Sequence, residues 1–322
     1  MRVLVTGATG VVGRRAVPFL VATGHQVTAA GRHPERLRRL GAAGADPLTL
    51  DLFDAAAVRR AVAGHDAVVN LATHIPPSAR ALLPGAWREN DRLRRDGAAA
   101  LAEAAIAEGV GRLVQESFAP AYADGGDRWL DEDAPLRPTS YNQTVLDAER
   151  AAARVTAAGG TGVVLRFAYF YGPDARHVRD MLGMLRRGWA PLPGPPSAHV
   201  SSITHDDAAT AVIAALGVPA GTYNVCDDEP LPRGEWAGAF AAAFGLAPPR
   251  PMPRWLQWIG GSTMELLSRS QRMSNRRFRA AAGWAPAVPS AREGWADVAA
   301  AMSAGGSGSS RAATGGRPAS MS

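Results

Sequence analysis

The chain has 322 residues, 47% hydrophobic and 20% charged, a balance that fits one large folded domain or a main domain with a smaller lobe and excludes a disordered chain. Its formal charge of +6 comes from bases scattered among acids, with no basic run interleaved with aromatics, so nucleic acid is not an expected partner. The single cysteine, Cys226, excludes an internal disulfide and a cysteine-based metal site, and all 35 strong bases are arginine: the sequence contains no lysine.

Met1 leads almost at once into an apolar strand, Arg2–Thr6, which leaves no room for a signal peptide. No apolar run reaches the length of a membrane span; Ala208–Val218 is too short and starts beside Asp206 and Asp207, so a cytoplasmic protein is expected. Further strands are predicted at Gln26–Ala30, Pro47–Leu50, Ala67–Leu71, Arg112–Gln115 and Gly162–Phe167. They alternate with helices near Val11–Ala22, Pro34–Leu40, Ala55–Ala63, Arg88–Ala107 and Tyr141–Ala158. Strands that are apolar throughout and separated by helices predict a parallel sheet covered on both faces. Right-handed crossovers then make it a Rossmann-type, doubly wound α/β fold.

Beyond Tyr171 the alternation breaks down. Asp180–Arg187, Asp206–Leu216 and Arg233–Phe244 read as helices and Thr222–Val225 as a strand, with proline-rich joints at Pro191–Pro196 and Pro248–Pro253. The expected organisation is a dinucleotide-binding core over 1–172 and a smaller C-terminal substrate lobe over 173–302, some of whose segments return to the core. A disordered tail poor in apolar anchors follows over 303–322.

The segment Thr6 to Gly13, T-G-A-T-G-V-V-G, follows the first strand and opens the first helix. In that context Gly7, Gly10 and Gly13 have distinct tasks: a tight turn, close approach of backbone to phosphate, and close packing of helix on strand. With Thr9, Val11 and Val12 they form a loop whose free N–H groups and helix dipole face a pyrophosphate. Arg32 and Arg36 lie just past the second strand, where an acidic residue would hold the ribose 2′-hydroxyl of NAD; arginine better suits the 2′-phosphate of NADP. NADP is therefore the preferred cofactor and NAD the alternative. Asp51, followed by Leu52, either contacts the adenine or caps the helix that starts at Ala55.

Several further segments, in order and at the right spacing, resemble the extended short-chain dehydrogenase/reductases of the NAD-dependent epimerase/dehydratase type. They are Asn70-Leu71-Ala72, Leu165-Arg166 with Tyr171-Gly172-Pro173, Ile203 to Ala209, Tyr223-Asn224-Val225 and Gly283-Trp284-Ala285-Pro286. The likeness runs from Val3 to about Trp295 and implies an NAD(P)-binding core with a substrate lobe. It also implies that Leu71, Ala72 and Thr73 line the nicotinamide side, and by analogy a homodimer through the helices near Arg88–Ala107 and Tyr141–Ala158.

The resemblance implies a catalytic Y-x-x-x-K, and here the tyrosine is Tyr141 while the lysine position is Val145. Tyr141 is the candidate proton donor and a cofactor contact. Without lysine its phenol stays near the reference of about 10, poor for a general base at neutral pH but already protonated for an acid. The partner hydroxyl is Ser117 if the loop is offset by one residue; otherwise Phe118 occupies that place. His74 and Glu116 are further candidates, Glu116 chiefly as partner to an arginine, and Asp206 reads as a helix cap. Tyr169-Phe170-Tyr171 replaces a family asparagine with an aromatic wall, which points away from a sugar nucleotide. Arg254–Leu267 is an amphipathic cover for the cleft, and Ala123–Pro138 a mobile loop beside its mouth. No histidine spacing fits a metal site. Two readings stand: an atypical reductase or epimerase/dehydratase-like enzyme acting on a small organic molecule, and a non-catalytic dinucleotide sensor or accessory protein.

Overall fold

The computed structural model describes residues 1–77, 83, 85–140, 142–253 and 261–311, the last seven as backbone only. Strands β1 (Arg2–Thr6), β2 (Gln26–Gly31), β3 (Asp46–Thr49), β4 (Ala67–Asn70), β5 (Arg112–Phe118), β6 (Thr161–Phe167) and β7 (Gly221–Val225) form one sheet. Their order is β7-β6-β5-β4-β1-β2-β3 and every pair is parallel. The order of addition reverses between β1 and β4, so a crevice opens at their carboxyl ends, the place where such sheets bind ligands.

Helices α1 (Gly13–Ala22), α2 (Pro34–Gly41), α3 (Ala55–Val62), α4 (Arg88–Arg92), α5 (Ala98–Ala107) and α6 (Val145–Ala157) fill the connections of the first half. Then come α7 (Arg176–Arg186), α8 (His205–Ala214), α9 (Arg233–Ala243), α10 (Gly261–Ser268), α11 (Arg276–Ala282) and α12 (Ala291–Arg311). Successive strand residues point to opposite faces. Val3 and Val5 therefore join a layer with Val17 and Leu20 of α1 and Ala208 and Val212 of α8. Leu4 joins the opposite layer with Val58 of α3, Leu101 of α5 and Ala152 of α6. A third cluster makes the lobe: Val178, Leu182 and Leu185 of α7 pack with Trp236 and Phe240 of α9 and Trp295 of α12. Its centre is the Phe240–Trp295 stack, with centroids 3.8 Å apart and planes 8° from parallel.

The sheet and its order agree with the expected doubly wound fold; β7 is part of the sheet and α8 packs in the layer beneath it. Boundaries differ for physical reasons. The strand expected to stop at Gln115 continues to Phe118 because β6 pairs with it as far as Phe167. The helix expected over Arg88–Ala107 contains a π-helical turn at Leu93–Gly97, and the one expected from Tyr141 starts at Val145. α12 runs to Arg311, past the point where the tail was expected to begin; residues 312–322 lie outside the described residues. Among the described residues, no helix is long and apolar enough to cross a membrane.

Candidate functional site

The crevice is stitched together by a buried polar chain. Thr6 at the end of β1 donates its hydroxyl to Asn70 Oδ1 (2.7 Å), and Asn70 Nδ2 donates to Gln115 Oε1 (2.9 Å). Three neighbouring strand ends are thereby held in register beneath the loop that follows β1. Gly7 has φ +68°, and a Cβ there would lie 2.4 Å from the Leu71 carbonyl carbon and 2.6 Å from the Ala72 nitrogen. Only glycine fits both that conformation and that contact. A Cβ on Gly13 would lie 2.4 Å from the Gly7 oxygen, so α1 rests directly on the turn. Gly10 is different: its amide donates to the Gly7 oxygen (2.9 Å), and its exposed Cα side faces open space except for that oxygen at 3.1 Å. The Val11 and Val12 amides beside it donate to no acceptor among the described residues, and no side chain caps α1. Thr9, Gly10 and Val11 line the open side. Unused amides at the positive end of a helix make an anion cradle, and these residues fit a dinucleotide pyrophosphate.

Just past β2, Arg32 forms an ion pair with Glu89, and His74 Nδ1 lies 3.5 Å from the same carboxylate. Arg14, Arg15 and Arg36 share one positive field: burial first, then these two neighbours, hold the Arg14 guanidinium below its ordinary value. Asp51 accepts the Phe53 amide (3.0 Å), while Asp54 caps α3 by accepting the Ala57 amide (2.9 Å). The cap expected from Asp51 thus belongs to Asp54, because the chain turns once more before the helix begins. Leu52 is buried in the core behind Asp51. Leu71, Ala72 and Thr73 continue from β4 along the crevice, and the His74 amide donates to Asn90 Oδ1 (3.0 Å).

Tyr141 lies outside the described residues. Val145, four positions on, is fully buried at the start of α6. Ser117 is buried, and its hydroxyl donates to Glu149 of α6 at 2.6 Å. Glu149 also accepts a two-pronged bond from Arg166, Nε at 2.8 Å and Nη2 at 2.7 Å. Arg166 Nη1 donates to the Tyr122 hydroxyl, which donates to Asn224 Oδ1 (2.7 Å). Burial pushes the Tyr122 phenol up to about 12, with Arg166 opposing the rise, so burial holds it protonated within this network. The partners are 17 to 102 positions apart, so no local pattern reveals the chain Ser117–Glu149–Arg166–Tyr122–Asn224. Glu116 lies beside Arg94 of the π-helical turn (3.8 Å), as its reading as an arginine partner expects; burial raises its carboxyl and Arg94 opposes the rise.

Core and lobe are joined at a carboxylate hub. Asp174 takes Arg14, Arg15 (3.0 Å) and His205 Nδ1 (3.1 Å), while Arg15 Nε also reaches Asp206 (2.7 Å). Thr204 caps α8, accepting the Asp207 amide at 3.0 Å, which corrects the expectation that Asp206 is the cap. Asp207 instead accepts the Ala287 and Val288 amides (2.7 and 3.2 Å) and pins the C-terminal segment. The two carboxylates serve different contacts and share no site. Of the expected aromatic wall, Tyr169 lines the cleft between core and lobe, Phe170 packs on His205, and Tyr171 is buried against Trp295. Segment 123–138, expected to be mobile, is hydrogen-bonded to the lobe through Gly125, Gly126 and the strand pair Trp129–Leu130 with Arg272–Met273. Residues 254–260 of the expected cleft cover lie outside the described residues, while Leu266 and Leu267 do line the cleft.

A family model described as NAD(P)H-binding matches residues 7–219, from the turn glycine to beyond α8. The chain belongs to the NAD(P)H-binding, extended short-chain dehydrogenase/reductase family. Its sequence is 39% identical over 311 residues to a 3-diazoavenalumate denitrifying reductase from a Streptomyces species, covering 91% of this chain and 99% of that protein. Among solved structures it is similar to the UDP-glucose 4-epimerase of Thermus thermophilus in complex with NAD. That match has 26% identity and a TM-score of 0.73, covering 94% of this chain and 99% of that one. A human epimerase family protein solved with NADPH has the same fold, at 23% identity and a TM-score of 0.74 over 93% of this chain and 99% of that one. The family thus includes reductases, and its structural neighbours hold either NAD or NADPH.

Proposed function

We propose that this protein is an NAD(P)H-dependent reductase that reduces an electrophilic small molecule, and that its acceptor is a diazo-bearing aromatic acid like that named for the Streptomyces relative. One observation supports the reading: the glycine turn leaves an open anion cradle at the start of α1, while the position equivalent to the family lysine is the buried Val145. Alcohol oxidation needs a base, a tyrosine whose pKa a neighbouring cation lowers. Reduction needs no such base. When bound, the nicotinamide supplies hydride; with an aryl diazonium acceptor one C–H bond forms, one C–N bond breaks, and dinitrogen leaves with the electron pair of that bond.

In this reading Gly7, Thr9, Gly10, Val11, Val12 and Gly13 seat the pyrophosphate. Arg32 exchanges Glu89 for a 2′-phosphate, with Arg36 and Arg14 adding to the field, so NADP is preferred over NAD. Asp51 and Leu52 border the adenine, and Leu71, Ala72 and Thr73 border the nicotinamide. Tyr141 contacts the cofactor and holds a proton for an acceptor that gains one, since a phenol near about 10 is protonated at neutral pH. Ser117, whose hydroxyl is committed to Glu149, acts by fixing α6 against β5.

The missing lysine also favours a second reading, a dinucleotide sensor without turnover. The two separate on one experiment: NADPH and NADH binding, followed by NAD(P)H oxidation with a carboxybenzenediazonium ion and with a panel of ketones and aldehydes, for the wild type and Tyr141→Phe. The reductase oxidises NADPH with at least one acceptor, and Tyr141→Phe slows those reactions that consume a proton. Tight binding with no turnover on any acceptor makes the protein a sensor.

A further inference from the structure

A narrow cleft, about half open to solvent, lies between core and lobe, so that a ligand seated in it reaches out through its mouth. Pro120 and Ala168, just past the ends of β5 and β6, form its core side, and Leu192, Leu266 and Met273 its lobe side. Into this apolar setting the fold places Arg233, 3% exposed, at the start of α9. Its Nη1 donates to the Leu267 carbonyl (2.8 Å) and Nη2 to the Arg269 carbonyl (3.1 Å), while Nε has no partner among the described residues. Among the described residues, no carboxylate lies within ion-pair distance of it. The group remains a cation at neutral pH: burial lowers it only to about 10, with Asp124 and Tyr169 weakly opposing.

A buried guanidinium satisfied only by two carbonyls is an unbalanced charge, which proteins seldom keep without a counter-ion. Two more polar atoms of the same cleft bear on the ligand. Gln271 donates through Nε2 to the Tyr122 carbonyl (3.0 Å), but its buried Oε1 accepts nothing among the described residues. His199 Nδ1 makes no hydrogen bond among the described residues, and the exposed Asp127 carboxylate lies 3.9 Å from it. The cleft therefore offers one unneutralised cation with an Nε–H and spare Nη hydrogens, the fork that a carboxylate meets side-on, and one free acceptor for a hydroxyl.

We infer that this cleft binds an aryl-sized, apolar carboxylic acid, with its carboxylate on Arg233 and a hydroxyl or other donor on Gln271. This deepens the reductase reading and rests on it for the assignment of the cleft as the substrate site. Pro120 and Ala168 place the apolar body next to the ends of β5 and β6, and Arg233 holds the acid head towards the lobe.

The test is calorimetric titration of the full-length protein with 4-hydroxycinnamate and its neutral isostere 4-hydroxycinnamamide, for the wild type, Arg233→Met and Arg233→Lys, with thermal melts as a fold control. The wild type binds the acid at least tenfold more tightly than the amide. Arg233→Met abolishes that preference, and Arg233→Lys retains part of it. Equal binding of acid and amide by the wild type, no binding of either at millimolar concentration, or an undiminished preference in a folded Arg233→Met overturns the inference. If Arg233→Met does not fold, the wild-type pair and Arg233→Lys decide. NADPH affinity, read by fluorescence in the same samples, separates the two claims. An acid preference without NADPH binding sinks the reductase reading alone, and NADPH turnover without an acid preference sinks this inference alone.

Discussion

Replacing single loop glycines with alanine separates the folding role of the loop from its binding role. In Gly13→Ala the new methyl would sit 2.4 Å from the Gly7 oxygen and 2.7 Å from Ala8 Cα, both backbone atoms that cannot swing aside. Either α1 lifts from the turn or the turn yields, at the about 1–3 kcal/mol that overpacking a tight contact costs. The Val11 and Val12 amides move with α1. Losing one of their hydrogen bonds to a charged phosphate removes about 1.5–3 kcal/mol, a roughly 10- to 150-fold weaker NADPH complex. In Gly10→Ala the methyl meets only the Gly7 oxygen, at 3.1 Å, and otherwise points into the open cradle. The Gly7 oxygen must give by a few tenths of an ångström, so the unfolding free energy falls by about 1 kcal/mol or less, while on the proposed reading the methyl occupies the path of the pyrophosphate. Urea unfolding and NADPH fluorescence titration read the two effects. Gly13→Ala should lose stability and affinity together, and Gly10→Ala mainly affinity. Unchanged NADPH affinity in a folded Gly10→Ala would show that the pyrophosphate does not lie on this loop.

Arg32→Asp exchanges a cation for the carboxylate that NAD requires; the ratio of NADPH to NADH affinity should fall by on the order of tenfold or more, and an unchanged ratio removes Arg32 from the cofactor site. Glu149→Gln leaves the buried Arg166 without its counter-charge and Ser117 with a weaker acceptor. The expected loss is about 3–5 kcal/mol by denaturant unfolding, and a loss under about 1 kcal/mol would mean that water enters the network. Burial, then Arg15 and Arg14, depress His205 to about 4. Between that value and about 6.5 the unfolded chain binds the extra proton, so stability is fully present above about 6.5 and falls as pH drops through the window. The span is on the order of 3 kcal/mol. In His205→Asn the slope of unfolding free energy between pH 6.5 and 5 should flatten; an identical slope assigns the acid sensitivity to other groups.

The parts of the site that were legible in the sequence depend on backbone geometry. Gly7 and Gly13 are forced by contacts within the loop and with the segment after β4, so their spacing alone marks the turn. The sheet was legible for a similar reason: strands such as Val3–Val5 and Ala67–Val69 are buried on both faces and read as unbroken apolar runs. Capping was harder to assign, because two capping residues stand near each of these two helix starts and the turn geometry chooses between them. It chooses Asp54 over Asp51, and before α8 it chooses Thr204 over Asp206. What depends on tertiary placement was not legible. Ser117, Glu149, Arg166 and Tyr122 show no common pattern in the chain, and neither do Arg14, Asp174 and His205, yet each set converges where strand ends meet helices. Arg233 passes for an ordinary helix-start residue until the lobe closes over it.

The central claim, reduction of an electrophilic acid at the expense of NADPH, is tested most directly by isotope transfer. The protein is incubated with a carboxybenzenediazonium ion and NADPH carrying deuterium on one or the other face of nicotinamide C4, and the arene product is analysed by mass spectrometry. Deuterium from only one of the two cofactor isomers should appear at the carbon that lost dinitrogen, in one-to-one ratio with NADPH consumed. An arene free of deuterium from both isomers, or NADPH that binds and is never oxidised, would contradict the account.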